Sequence, residues 1–468
     1  VTQNPISWLP SLSPAGPGPI YAAIVEAMAA DIAEGRLTPG QRLPTHRALA
    51  AALDVDLTTV TRAYNEAQRR GLTEAVIGRG TYVRGAPPEA ATAETAGPAP
   101  LDLGMNLPPR PPEAAFKDHL AAATRDILQR ADLPALLSYR PDAGDLPDRV
   151  AGAEWLRPLL PEASADRVLV CGGAQPALLA LLTTFARTGD LVLTEALTYP
   201  GFRALAGQLG VKLKGIAMDG EGILPEALDA ACRSGSPKAL YCIPTIQNPT
   251  TATMSMARRH AIAEILRKHQ LPVFEDDAYG ALPSAALPPL SALVPEFGYY
   301  AATFAKCIAP ALRVGYLLVP GASQAARLTA AIRASTMMAS PLTTAIATRW
   351  IGDGTAAKIT AAIRRESAFR QRIATEILRG TDYAAHPEGH HLWLRLPAGW
   401  SGAEFANQAR RWNLAAVPRS AFAVSGGEPE DAVRIALGAA PDRDQLAGAL
   451  RLAADALAHP PEVMSSAG

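Results

Sequence analysis

Sixteen consecutive residues, Gly85 to Pro100, read Gly-Ala-Pro-Pro-Glu-Ala-Ala-Thr-Ala-Glu-Thr-Ala-Gly-Pro-Ala-Pro and hold no aromatic or branched apolar side chain. Such a stretch buries too little to offset the entropy of ordering its backbone, so a linker is expected there, part flexible and part extended by proline. No single core can run through it. The chain of 468 residues, already long for one core, is therefore expected to divide into a small unit, 20–84, and a large one, 101–458. Residues 1–19, with Pro5, Pro10, Pro14, Pro17 and Pro19, are expected to form an extended leader, and 459–468 a loose tail.

Composition removes several classes. A hydrophobic content of 49% with 19% charged residues is that of a globular protein, and a formal charge of zero provides no global basic field, so any nucleic-acid site must be local. No apolar run reaches the roughly 18 residues of a membrane span, and no signal-peptide pattern opens the sequence. The four cysteines, Cys171, Cys232, Cys242 and Cys307, have neither Cys-x-x-Cys nor metal-ligand spacing. They are expected to be reduced thiols in the core of a cytoplasmic protein, with no metal site and no membrane partner.

In the small unit, Ile20 to Ala33 places Ile20, Ile24, Met28 and Ile32 on one helical face, and Gly35 ends that helix. A second helix is expected from Thr45, whose hydroxyl suits an N-cap, with Leu49 and Leu53 turned inward. A third follows Asp56, burying Val60, Ala63, Tyr64 and Ala67 and leaving Thr58, Thr59, Arg62 and Arg69 at or near its outer face. Leu72 to Val83 reads as a hairpin tipped by Gly78-Arg79-Gly80. Three helices and a wing make a winged helix-turn-helix. From Arg36 to Arg84, eight arginines stand against Asp54, Asp56, Glu66 and Glu74, a local net charge of +4. The third helix would offer Thr58, Thr59 and Arg62 to base edges in the major groove, with Arg47 and Arg79 on phosphates.

The stretch Gly-Gln-Arg-Leu-Pro-Thr-His-Arg-Ala-Leu-Ala at 40–50, Thr59-Val60, Arg62-Ala63-Tyr64 and the wing residues 78–83 resemble the GntR family of bacterial DNA-binding domains. The resemblance implies contacts to a double-stranded operator from Arg47, Thr58, Thr59, Arg62, Arg79 and Thr81. Many relatives carry arginine where this chain has Leu57, so Arg62 and Arg47 are expected to carry more of the recognition.

The large unit gathers its chemistry around Thr303 to Leu318, with Lys306 at the centre and Arg313 just before an apolar run, Val314 to Val319, that reads as a strand. A lysine among apolar neighbours loses hydration, which disfavours its charge and leaves more neutral amine to attack an aldehyde. A solvated lysine beside a strand is the plainer alternative. Upstream, Val273 to Leu282 is a short apolar strand ending in Asp276, Asp277 and Tyr279, and Leu240 to Thr250 is a buried-type strand ending in Asn248-Pro249. Strand ends of this kind are where open α/β sheets place ligand-binding groups. Gly172-Gly173-Ala174-Gln175 opens a helix expected over 176–186, where free N–H groups and the dipole favour a phosphate; a plain glycine turn reads equally well in isolation. A helix over 152–160 and strands over 167–171 and 191–194 complete this reading.

Five motifs in order, Gly173-Ala174-Gln175, Tyr199-Pro200-Gly201, Asn248-Pro249-Thr250, Asp276-Asp277-Ala278-Tyr279 and Lys306 with Arg313, resemble the aminotransferase class I and II group of fold-type I pyridoxal-phosphate proteins. The fold expected is α/β with a small C-terminal α+β lobe, and the cofactor implied is pyridoxal 5'-phosphate, on Lys306 as its Schiff-base lysine. The resemblance gives Ala174, Gln175, Thr303 and Arg313 to its phosphate. It stacks Tyr199 on the ring, sets Asn248 and Tyr279 on the phenolic oxygen, and pairs Asp276, with Asp277 as rival, with the ring nitrogen. Ser138-Tyr139-Arg140-Pro141 resembles the motif whose tyrosine reaches the phosphate of the neighbouring subunit, and the segment 431–437 implies that Arg434 grips the carboxylate of an amino-acid ligand. Ala305 stands where relatives often have serine, one hydroxyl donor fewer.

Residues 322–339 and 342–378 are expected to be mainly helical, with Arg364, Arg365, Arg370 and Arg372 on a solvated face, and His390 and His391 have no matching ligand cluster. A GntR reader joined by a linker to an aminotransferase-like domain resembles the MocR subfamily of transcription regulators. That implies a homodimer that binds operator DNA in response to an amino-compound effector; the alternative is a working aminotransferase with a fused DNA-binding domain.

Overall fold

The computed structural model describes residues 8–11, 19–38, 41–70, 72–76, 80–83, 105–130, 132–140, 143–424 and 431–459. The expected linker, most of the leader, all but the first residue of the tail, and Arg79 lie outside the described residues. The chain divides into two units, Val1–Pro100 and Leu101–Gly468.

The first unit packs three helices, α1 (Ile20–Ala33), α2 (His46–Leu53) and α3 (Leu57–Arg69), with a hairpin of β1 (Thr73–Val76) and β2 (Gly80–Val83). Its helices α2 and α3 start where side chains can cap them: Thr45 Oγ1 accepts from Ala48 N at 3.2 Å, and Asp56 Oδ1 from Thr58 N at 2.7 Å. Val60, Ala63, Tyr64 and Ala67 of α3 are buried against Ile24, Val25 and Met28 of α1 and Leu49 of α2. Ile20 departs from the expected stripe, being 51% exposed, and Val25 fills the core instead. Trp8, from the leader, joins this core and donates from its ring nitrogen to Asp31 Oδ2 at 2.7 Å.

The second unit is built on a seven-stranded sheet. In chain order its strands are β3 (Val168–Cys171), β4 (Leu191–Glu195) and β5 (Lys212–Ile216), followed after the small hairpin β6 (Met218–Asp219) and β7 (Gly222–Ile223) by β8 (Leu240–Cys242), β9 (Val273–Asp277), β10 (Gly298–Thr303) and β11 (Gly315–Leu318). Their spatial order is β3-β11-β10-β9-β8-β4-β5, with β11 antiparallel to both neighbours. Most of these strands are short apolar runs, and β3, β8, β9, β10 and β11 are buried throughout, as expected of a sheet covered on both faces; β9 is an exception in composition, burying Glu275, Asp276 and Asp277. A smaller antiparallel sheet forms the C-terminal lobe from β12 (Tyr383–Ala385), β13 (His391–Arg395), β14 (Ala415–Pro418) and β15 (Ala432–Ala436), ordered β12-β13-β15-β14. The helices Gly402–Arg411 and Arg443–Ala458 bury Phe405, Leu446 and Leu450 in the core of this lobe. No helix among the described residues is long and apolar enough to cross a membrane.

Three local expectations are corrected. The helix expected over 152–160 runs Leu146–Leu156, since Pro158 cannot extend it. The strand expected to reach Asn248 ends at Cys242, and an irregular segment held by Gln247 carries the chain on. The arginine-rich stretch is a solvated face only in part: Arg365 and Arg372 of the helix Thr355–Ile377 are exposed, but Arg370 is buried and bonds Glu366 at 2.8 Å, and Arg364 donates to the carbonyls of Ala281 and Leu282.

Candidate functional site

Strands β3, β4, β8, β9 and β10 run parallel across the middle of the sheet or meet it through β11, so their following loops gather at one edge. There lies a cavity of about 450 Å3 lined by Ala174, Gln175, Tyr199, Asn248, Asp276, Tyr279, Thr303, Lys306, Arg313 and Arg434. Ten positions spread over 261 residues of sequence meet in it, nine from the large lobe and Arg434 from β15 of the small one.

Lys306 sits in the turn after β10, half-buried, and its Nζ donates to the backbone oxygen of Asn106 at 2.5 Å. Burial, reinforced by the Arg434 charge and opposed by Asp276, brings its pKa down to about 8. Asp276 is buried at the end of β9; one oxygen accepts from the Tyr241 hydroxyl at 2.8 Å, and the other, Oδ1, has no partner among the described residues. Burial pushes this acid up to about 6, against the Tyr241 hydrogen bond and the Lys306 charge. Asp277 does not line this cavity, because successive strand residues face opposite sides, and it accepts from Tyr300 at 2.6 Å instead.

Gly173 opens the helix Ala174–Phe185 with φ +105, a conformation that favours glycine. A Cβ there would stand 3.1 Å from the guanidinium of Arg313. Arg313 is exposed; its backbone N–H donates to Pro310 O at 3.2 Å, while no described residue accepts a hydrogen bond from its guanidinium. Gly201 plays a similar part, since a Cβ on it would lie within 2.5 Å of the Tyr199 ring. Gln175 donates from Nε2 to Gly201 O at 3.0 Å, and Thr303 Oγ1 to Val314 O at 3.2 Å. Arg434 is buried, with Nη1 2.9 Å from Asn248 Oδ1 and its guanidinium 5.1 Å from the Phe422 ring centre.

Tyr139 is not in this cavity; it is 80% exposed. In the first unit, Arg47, Thr58 and Arg62 are exposed and Thr59 and Thr81 half-buried. Thr58 also donates to its cap Asp56, and the Arg62 guanidinium lies 4.2 Å over the Tyr21 ring.

Four contributors escape a reading of the sequence. Asn106 donates to the Tyr279 hydroxyl at 2.8 Å and lies 2.9 Å from His391 Nδ1, and His390 Nε2 lies 2.6 Å from the backbone oxygen of Lys306. With Tyr241 under Asp276, these residues make the polar support of the cavity. The pair His390-His391 is visible in the sequence, but there, without a matching ligand cluster, it carries no role. Among the described residues no group of His, Cys, Asp or Glu could hold a metal ion.

Residues 100–451 match the family Aminotransferase class I and II, and residues 20–83 match Bacterial regulatory proteins, gntR family. The uncharacterized HTH-type transcriptional regulator YdeF of Bacillus subtilis is 31% identical over 92% of this chain and 93% of its own length. The probable rhizopine catabolism regulatory protein MocR of Rhizobium meliloti is 27% identical over 64% of this chain and 66% of its own. The crystal structure of LysN, the alpha-aminoadipate aminotransferase of Thermus thermophilus, complexed with N-(5'-phosphopyridoxyl)-L-leucine, has a TM-score of 0.69 at 28% identity, covering 76% of this chain and 91% of that one.

Proposed function

Because this chain belongs to the aminotransferase class I and II family and carries a gntR-family DNA-binding domain ahead of it, as MocR-type regulators do, we propose that it regulates transcription according to the amino compound bound at Lys306. Its cofactor is pyridoxal phosphate, and the donor set suits that group. Asp276 Oδ1 is a buried acceptor without a partner among the described residues, matched to a protonated ring nitrogen, and Arg313 faces the helix N-terminus at Gly173, matched to a phosphate. The observation that carries the reading is the convergence of these groups and Lys306 in one cavity of a chain that also holds a DNA reader.

Lys306 would hold the cofactor covalently. Ala174, Gln175, Thr303 and Arg313 would hold its phosphate, Tyr199 its ring face, Asp276 its ring nitrogen, and Asn248 with Tyr279 its phenolic oxygen. Bound there, pyridoxal phosphate supplies a carbon open to attack by amines and an electron sink. The protein's own part is to hold and move protons and to orient the ligand. Lys306, with a pKa near 8, gives up or takes a proton at Nζ close to neutral pH. Arg434 offers a planar pair of donors to a carboxylate, and its existing bond to Asn248 links the small lobe to the large one. A ligand gripped there favours one lobe arrangement over another, and that difference in affinity is what biases DNA binding. The assembly proposed is a homodimer in which Tyr139 reaches the pocket of a second copy, with operator DNA and the cytoplasm as its setting.

The intact Lys306 and Arg434 equally support a second reading, a working aminotransferase. Absorbance of the full chain with pyridoxal phosphate, beside Lys306→Ala, tests the first step: a visible band that requires Lys306 is expected. Following the wild type with an amino donor and a keto acid then divides the readings. A spectral change that persists without turnover supports the sensor, and sustained keto-acid production without any effect on DNA supports the enzyme.

A further inference from the structure

A second cavity, of about 670 Å3, lies behind the strand end that carries Asp276. Its floor holds Asp277, the acid that faces away from the cofactor pocket. Asp277 is 4% exposed; Oδ2 accepts from Tyr300 at 2.6 Å, and Oδ1 has no partner among the described residues. Neither nearby guanidinium forms an ion pair with it. Arg259 is spent on Glu275 and on the backbone oxygens of Met254, Pro244 and Pro288, while Arg364, on the cavity wall, donates to Ala281 and Leu282. Glu154 stands at the cavity as a second acid, exposed. The remaining walls are largely apolar, with Trp155, Leu159 and Ile351 each half-buried.

A buried carboxylate with an unanswered oxygen is costly, and it is answered best by a charged donor brought in with a body that covers apolar surface. We propose that this second cavity binds a small primary amine, its ammonium on the carboxyl of Asp277 and its apolar body against Trp155, Leu159 and Ile351. Burial, reinforced by Glu275, holds Asp277 up at about 7. An arriving ammonium favours the ionised acid, so binding near neutral pH expels a proton from Asp277. Ala278 and Thr303 line both cavities, which makes the second one a neighbour of the effector pocket and not a part of it.

The test is calorimetric titration of pentylamine into the full-length Lys306→Ala chain free of cofactor, which removes covalent capture at the first site; without a carboxylate, pentylamine has no hold on Arg434. Saturable binding is expected on the order of millimolar, weakened at least about tenfold by adding Asp277→Asn. Ala357→Trp, an exposed position on the cavity wall remote from Asp277 in sequence, is expected to block entry and give the same loss in a chain whose fold is checked by circular dichroism. The binding heat at neutral pH should vary with the ionisation heat of the buffer, reporting the expelled proton. Pentanol, with the same tail and no charge, should not bind. Pentylamine binding unchanged by both substitutions, or matched by pentanol, overturns the proposal, as does no binding at all. None of these results depends on whether the cofactor forms its band with Lys306.

Discussion

Lys306 illustrates how burial prepares a side chain for chemistry. With its pKa near 8, about a tenth of its amine is neutral at pH 7, against well under a thousandth for an ordinary lysine. The rate at which pyridoxal phosphate forms its visible band is therefore expected to rise with pH through a midpoint near 8; a midpoint near the ordinary lysine value would contradict that effect of burial. Glu195 shows burial acting on stability. It is fully buried next to the cofactor pocket, one oxygen accepting from Ile243 N at 3.0 Å, and burial raises its pKa to about 8. Between the ordinary glutamate range and about 8 the folded chain keeps a proton that the unfolded chain has lost, so stability falls as pH rises through that window. Glu195→Gln should flatten this fall and raise the melting temperature at pH 8 relative to the wild type, with little difference near pH 4, as thermal unfolding at several pH values will show. Gly201→Ala places a methyl group inside the Tyr199 ring position, so cofactor affinity should drop about tenfold or more as that ring is displaced, read by titrating the visible band.

At the level of elements, α3 depends on Asp56, which accepts from both the backbone and the hydroxyl of Thr58. Asp56→Ala should lower the melting temperature of the first unit and weaken operator binding, since it loosens the turn that carries Thr58 and Thr59. Arg47→Ala, at a side chain placed on phosphate, should lower the salt dependence of operator binding by about one unit of slope, and Arg62→Ala, at a side chain placed on base edges, should relax the sequence preference instead, both measured by anisotropy across salt concentrations and operator variants. The three helices of this unit are legible from sequence because caps and apolar spacing are local signals: Thr45, Asp56 and the stripe Val60, Ala63, Tyr64, Ala67 act within a few residues of one another. The cofactor pocket is legible for a different reason, that its groups stand at strand ends in ordered motifs. What escapes is support contributed across long separations. Asn106 reaches Tyr279 over 173 residues and His391 over 285, and no local pattern announces such a bond. The same holds for Arg370, whose place on an arginine-rich helix suggests solvent, while its Glu366 partner and the carbonyls of Leu437 and Ala440 draw it inside.

For the molecule as a whole, the account requires that what happens at Lys306 is felt by a DNA reader in a separate folding unit. Such coupling is reciprocal: whatever factor the amino compound applies to operator affinity, the operator must apply to the affinity for that compound. A coupling of about 1–3 kcal/mol, typical of allosteric proteins, would appear as a change of roughly 5- to 150-fold in either constant. The most direct measurement titrates an amino compound that alters the visible band into the cofactor-loaded full chain while the anisotropy of a labelled operator fragment is recorded in the same cuvette. The account predicts that the two signals share one midpoint, that operator shifts this midpoint by the factor by which the compound shifts operator affinity, and that Lys306→Ala abolishes both responses. A band that moves to completion while operator binding stays unchanged would contradict it.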